Sequence, residues 1–358
     1  MKNSNVNARA ADSNSEHRFP WKWYLSDLPK VKKNGLNVFS CFSFGGGSTM
    51  GYKLAGYTML GNCEIDPRMM QIYKKNHHPK HSYLMDIRDF VKIPVEEIPD
   101  ELKNLDILDG SPPCSCFSTA GERENGWNKE KVFREGQKKQ RLDDLFFYFI
   151  EAARILQPKV VIAENVTGIL KGNAKGYVNE ILKAFDLAGY RVQIFQLNAA
   201  RMGVPQARER VFFVAHRKDL NFPKLHLSFS EKPILFGEVR SEHGKQFAKE
   251  GKYQQALLLR KKTDKSIADI YKREYGKESG FNNLVNQDHY VCGTVVASGI
   301  HFRGCDGLIM SDDDFKAVQT FPQDYDFMDQ PAQYVCGMSV PPVMMANLAA
   351  EVYEQWLK

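Results

Sequence analysis

The chain has 358 residues, a formal net charge of +6 and 43 % hydrophobic residues. That balance suits one large or two smaller globular domains, and with no run of about 18 apolar residues in view no membrane span is expected. Seven cysteines, an odd number without a repeating spacing, fit reduced thiols of a cytoplasmic protein rather than a disulfide framework.

Residues 1–18 are polar and lack the apolar core of a secretory signal, and residues 1–33 are expected to be irregular or disordered. Residues 37–44, NVFSCFSF, read as a strand; Gly45-Gly46-Gly47 follow, then a helix over 49–55. Strand, glycine turn and helix is the arrangement that lets backbone N–H groups approach a nucleotide-like ligand. A second strand, 57–65, carries Glu64 at its end with Asp66 close behind, roughly 20 residues past the glycines, where an acid meets ribose hydroxyls. A helix over 67–76 leads to a short third strand, 83–85, and Asp86, a candidate acceptor for an exocyclic amine. Each of these acids alone also fits a helix cap.

Residues 105–108 read as a buried strand that Asp109-Gly110 and Pro112-Pro113 bring to a stop. Cys114 follows at once, at the carboxyl edge where open α/β sheets place their chemistry. A thiol held there is a nucleophile candidate. No second cysteine pair at zinc spacing accompanies Cys114-x-Cys116, so no metal is expected. Residues 120–141 are polar, with glycines at 121, 126 and 136 and seven Lys/Arg against four Asp/Glu, the composition of a lid. A helix over 142–156, a strand over 160–163 closing on Glu164-Asn165, a helix over 176–187 and strands over 191–197 and 210–215 follow. This alternation predicts a doubly wound α/β sheet. Glu164 is either a turn cap or a general acid.

From 221 to 298 the alternation is lost. Fifteen Lys/Arg against nine Asp/Glu lie between 215 and 280, which suits a polyanionic partner or simply a solvated surface. A helix-like pattern over 315–321 and an amphipathic helix over 343–357 flank residues 337–342, GMSVPP. Cys41, Cys63, Cys292, Cys305 and Cys336 are expected as buried apolar residues, and His77, His78 and His81 as a solvated helix end.

In this order the motifs resemble one family, the S-adenosylmethionine-dependent DNA cytosine-5 methyltransferases, over roughly residues 37–215 and 308–358. The stretch from Phe42 to Gly47 looks like its first cofactor motif, SPPCSCFS its nucleophile motif, Glu164-Asn165-Val166 its ENV motif, Gln206 to Arg210 its QxRxR motif and GMSVPP its last. The resemblance implies a Rossmann-like mixed-sheet methyltransferase domain over 34–220. It implies a small irregular target-recognition domain over 221–300 and a return to the catalytic domain over 301–358. It places Phe42, Gly45, Gly46, Gly47, Glu64, Ile65, Asp86, Ile87, Pro113, Leu145, Ser339 and Val340 around S-adenosyl-L-methionine. Cys114, Glu164, Arg208 and Arg210 would be catalytic, and Ser115, Ser118, Arg123 and Gln206 would meet double-stranded DNA. Phe44, Ser115, Asp313-Asp314 and Met338 depart from the family's usual residues.

The implied activity is a bacterial or phage DNA (cytosine-5-)-methyltransferase, a sequence-specific monomer of the bacterial cytoplasm or nucleoid. It would act in a restriction-modification or orphan methylation system, with a cognate endonuclease as a further partner. C5 of cytosine is a poor nucleophile; a thiolate adding to C6 makes the ring enamine-like, which a serine would do too weakly. Two rivals are a tRNA cytosine-5 methyltransferase and a silent DNA-binding homologue. The tRNA branch carries a Cys-Phe-Thr element after the QxRxR stretch, and none stands here. A nicotinamide-dependent dehydrogenase would require a strict G-x-G-x-x-G, which this turn lacks.

Overall fold

The computed structural model describes residues 16–113, 144–172, 174–247, 251–277 and 283–358. Cys114, Ser115, Ser118, Arg123 and the stretch 120–141 lie outside the described residues.

The chain divides into two compact units. The first comprises Val31–Leu197, Glu209–Ser228 and Leu348–Lys358; the second comprises Met1–Lys30, Asn198–Arg208 and Phe229–Asn347. These cuts differ from the expected boundaries at 34, 220 and 300. Residues 198–208 and 301–347 group with residues 229–300, and residues 209–228 with the sheet.

The first unit is built on a seven-stranded sheet. In chain order its strands are β1 (Asn37–Cys41), β2 (Thr58–Glu64), β3 (His81–Leu84), β4 (Ile107–Gly110), β5 (Val160–Val166), β6 (Tyr190–Asn198) and β7 (Glu209–Arg217). They lie in the order β3-β2-β1-β4-β5-β7-β6. β1 pairs in parallel with β2 and β4, and β4 with β5, whereas β7 runs antiparallel to β5. The sheet is therefore mixed, and its order reverses beside β1, the switch point where such folds bind ligands.

The two-residue period of a strand divides the sheet faces. Phe39, Leu108, Val161, Ala163 and Phe213 pack with the helices Leu145–Leu156 and Ala174–Leu187 in one apolar core. Ser40, Asp109 and Glu164 alternate to the other face. Gly110 cannot carry a side chain, because a Cβ there would run into the ring of Phe149.

In the second unit, β8 (Leu284–Asn286) and β9 (His301–Arg303) pair in parallel beside a small core of Ala256, Leu257, Ile267, Ile270, Val285 and Phe302. Asp314, one of the two unexpected acids, is fully buried. It accepts N–H bonds from Ser311 at 2.8 Å and Ser241 at 2.7 Å and lies 3.6 Å from the buried Arg303. Asp314 thus ties the segments around Ser241, Arg303 and Ser311 together.

Several expectations change. β1 stops at Cys41 rather than 44, because Phe42 and Phe44 turn into the left-handed region at φ 53° and 48°. Residues 16–30, expected to be irregular, include buried Trp21 and Trp23. His77 is buried, not solvated, while Cys305 is exposed. The stretch Ala332–Leu357 is long and apolar enough to cross a membrane by composition, yet its most apolar window is 89 % buried within the protein.

Candidate active site

The carboxyl edge of the sheet collects most of the residues singled out in the sequence. After β1 the backbone enters the left-handed region three times, at Phe42, Phe44 and Gly46. Two of those residues carry side chains, so this turn stores strain that its surroundings must hold. Glu64 at the end of β2 does much of the holding. Its carboxylate accepts the Phe44 N–H at 2.7 Å and the Ile65 and Asp66 N–H groups at 2.9 Å each. Burial raises its pKa, and these bonds oppose the rise. Phe44 thus occupies the place of the family's usual glycine, in a glycine-like conformation, tied down through its backbone.

His77 supports the turn from below. Its Nε2 lies 3.3 Å from the Gly45 carbonyl, and a Cβ at Gly46 would collide with its ring. Burial pushes its pKa well below the ordinary 6.5, so the ring is neutral and the contact requires the Nε2–H tautomer to donate. Sequence reasoning missed this residue; only its place at the end of an amphipathic helix hinted at burial.

Beyond the turn, Asp66 caps the helix Pro67–His77, and Asp86 caps the short helix Ile87–Phe90. The Asp86 carboxylate also meets Arg88, which reaches Asp144 at 2.6 Å. Ile65 and Leu84, large apolar residues at the ends of β2 and β3, are 39 % and 50 % exposed. Exposed apolar side chains beside a glycine turn and an acid-bearing edge fit a nucleoside with a hydroxylated sugar. Ile87 and Leu145 are buried, Pro113 follows β4, and Leu145 belongs to the core cluster. Ser339 and Val340 lie in the second unit and are buried, the Ser339 hydroxyl donating to the Val335 carbonyl at 2.7 Å.

The antiparallel pairing of β5 with β7 brings the acid and one arginine together. Val166 pairs with Arg210, so Glu164, two residues earlier on the same face, meets Arg210 diagonally, Nε to Oε1 at 2.9 Å. Burial pulls the Arg210 pKa down and Glu164 pushes back. Asn165 points the other way, and its Nδ2–H donates to the Pro112 carbonyl at 3.2 Å. Asn165 therefore anchors the chain two residues before Cys114, a role invisible without the pairing register.

Two expected contacts move inward. Gln206 is fully buried; its amide donates to the Val318 carbonyl and Gln319 Oε1 and accepts the Val295 N–H. Arg208 is 2 % exposed and donates to the Val295 and Gly337 carbonyls, both at 2.9 Å. Among the described residues these side chains are buried and brace the second unit through its own carbonyl, amide and N–H groups, rather than standing exposed as expected. The reason is geometric: β7 begins only at Glu209, so Arg208 lies in the irregular stretch before it, outside the strand's two-residue alternation, and need not share the role of Arg210.

A mixed sheet with an antiparallel seventh strand, a glycine turn at its switch point and an acid–arginine pair at its edge defines a Rossmann-like methyltransferase. Residues 36–354 match the family model described as C-5 cytosine-specific DNA methylase, and the chain belongs to that family. It is 36 % identical over 199 residues to the Type II methyltransferase M.NgoPII of Neisseria gonorrhoeae, a match covering 53 % of this chain and 52 % of that protein. M.FnuDI of Fusobacterium nucleatum is likewise 36 % identical, with 52 % of its length covered. The chain thus spans about half the length of these two relatives. M1.HphI of Haemophilus parahaemolyticus is 26 % identical over 345 residues, covering 88 % of this chain and 86 % of that one. A prophage-encoded DNA modification methyltransferase structure from E. coli superposes with a TM-score of 0.65 at 19 % identity, over 90 % of this chain and all of that one, which supports the fold.

Proposed function

We propose that this chain methylates C5 of cytosine in double-stranded DNA with S-adenosylmethionine as donor, through a covalent bond between Cys114 and C6. The observation that carries the reading is the β5 edge. Glu164 is paired there with Arg210, and the adjacent Asn165 grips Pro112, two residues before Cys114. That places an acid, a cation and the approach to a thiol on neighbouring strands.

S-adenosylmethionine supplies an electrophilic methyl group when bound, and Glu64, Ile65 and Asp86 would hold it beside the glycine turn. The Cys114 thiolate adds to C6, forming an S–C bond and pushing an electron pair toward C5. Glu164 accepts a hydrogen bond from the N4 amine and shares a proton at N3, so no free anion accumulates on the ring. Arg210 holds Glu164 in place and faces the base O2. Once C5 is methylated, loss of its proton to water returns the electrons and expels Cys114. The target base must leave the helix, at a cost of a few kcal/mol. Sequence recognition falls to the 221–300 region through base-edge contacts. The resemblance to bacterial and phage enzymes supports a role in restriction-modification or orphan methylation, as a monomer in the bacterial cytoplasm or nucleoid.

A duplex carrying 5-fluorocytosine tests the reading, since fluorine at C5 cannot leave as a proton and traps the adduct. With cofactor present, a denaturation-resistant protein–DNA band is expected for the intact chain and none for Cys114→Ala. DNA binding without an adduct would favour a silent homologue. Methyl transfer to bulk tRNA but not to duplex DNA would replace the substrate.

A further inference from the structure

We propose that residues 16–30 are a positioning strap, with Trp23 at its centre, that sets the segment 339–343 for cofactor binding. The family match begins only at residue 36, so this segment lies outside it. Yet Trp21 and Trp23 are 7 % and 3 % exposed, burial far deeper than a loose polar leader would show. The segment grips one turn. The Trp23 indole N–H donates to the Thr320 carbonyl at 2.9 Å, and the Gln323 N–H donates to the Trp23 carbonyl at 2.9 Å. The Asp324 carboxylate accepts the Leu25 N–H at 2.6 Å and the Ser26 N–H at 3.2 Å. At its other end Glu16 meets Lys232 and His17 meets Glu231.

The gripped turn is strained. Thr320 is fully buried at φ 58°, a left-handed conformation that a β-branched residue strongly resists. Such a conformation persists only where its neighbours over-determine it. Thr320 in turn holds the segment 339–343. Its hydroxyl accepts the Val343 N–H at 3.1 Å, and Gln319 beside it donates to the Ser339 carbonyl at 2.8 Å. Residues 339–343 are therefore hung from both ends on the turn that the strap holds. Ser339 and Val340 are the cofactor residues the family resemblance assigns to this unit, so the inference rests on the proposed function. Trp23 touches no substrate; it acts through Thr320.

The test is a double-mutant cycle in the full chain, reading S-adenosylhomocysteine affinity by calorimetry together with steady-state methylation. Trp23→Phe keeps an aromatic ring and loses the N–H. It is expected to weaken S-adenosylhomocysteine about 3–10-fold and raise the S-adenosylmethionine KM to match, with kcat within about twofold. Glycine adopts the left-handed region unaided. In a Thr320→Gly background the same Trp23→Phe change should therefore cost less than about twofold. Asp324→Ala, an exposed change that releases the Leu25 and Ser26 N–H groups without opening the core, should act in the same direction if Trp23→Phe folds poorly. An equal Trp23→Phe effect in both backgrounds, or a fall in kcat with KM unchanged, overturns the strap. So does an Asp324→Ala variant with wild-type affinity. If the wild-type chain binds no S-adenosylhomocysteine, the proposed function itself fails and the strap with it.

Discussion

Asp109 puts a carboxyl group inside the sheet with two hydroxyls as partners, Ser40 at 2.7 Å and Tyr52 at 3.2 Å. Burial pushes its pKa up to about 7; the two hydroxyl bonds oppose this and the charge of Glu164 adds to it. Between the ordinary 3.8 and about 7 the folded protein keeps a proton that the unfolded chain has released. Stability therefore falls as pH rises through that window, by on the order of 4 kcal/mol at most. Asp109→Asn removes the titration and keeps a polar group of the same shape. In urea unfolding, the wild-type midpoint is expected to drop between pH 5 and pH 8, and the variant's midpoint to drop clearly less. The variant should be the more stable of the two at pH 8. Parallel pH dependences would show that Asp109 is not the responsible group. The sequence marked this residue only as a strand breaker; its burial depends on β1 and β5 flanking β4, which no local pattern encodes. The reverse holds for Glu64 and Asp86, whose places at the ends of successive strands were readable from spacing alone.

Among the elements, alternation was readable because β1, β2 and β5 are short, largely apolar runs, each followed in the chain by a helix that buries an apolar face. Reading failed where capping or reversal decides. The helix expected over 315–321 begins at Asp312, because Ser311 and Asp314 form a reciprocal cap. The helix Ala332–Met338 escaped notice because it is only seven residues long. The direction of β7 could not be read either, and it decides which arginine reaches the acid. Since β7 runs antiparallel to β5, Arg210 and not Arg208 meets Glu164. Arg210→Ala leaves a largely buried carboxylate without its cation, at a cost of about 1–3 kcal/mol in stability. Its kcat/KM on duplex DNA is expected to fall at least 100-fold, while Arg210→Lys, which keeps the charge but not the planar fork, should lose about tenfold. Arg208→Lys should instead lower the melting temperature, with a smaller effect on kcat, because its bonds go to backbone carbonyls. If the Arg210 variants turned over normally and Arg208→Lys did not, the two assignments would have to be exchanged.

Across the chain as a whole, both units are assembled from separated stretches, so composition shifts along the sequence could not mark their limits. The change near residue 221 was visible; the membership of 16–30, 198–208 and 301–347 in the second unit was not, since each is tied by contacts far apart in sequence. What composition did offer was charge. The excess of Lys/Arg between 215 and 280 has two readings, a phosphate-binding face or ordinary solvation, and salt separates them. Phosphate contacts release counterions, so log Kd for duplex DNA should rise linearly with log salt, at a slope of about 0.9 for each phosphate neutralised. Lys261 and Lys262 are both exposed, so reversing them to Glu leaves the core intact. If they touch phosphate, the double variant should bind duplex DNA at least tenfold more weakly at about 50 mM salt, with a slope shallower by about 2. Affinity for S-adenosylhomocysteine should not move, because that site lies on other residues. Equal slopes for the two proteins would return this stretch of lysines to ordinary solvation and send the search for the DNA-binding face elsewhere on the chain.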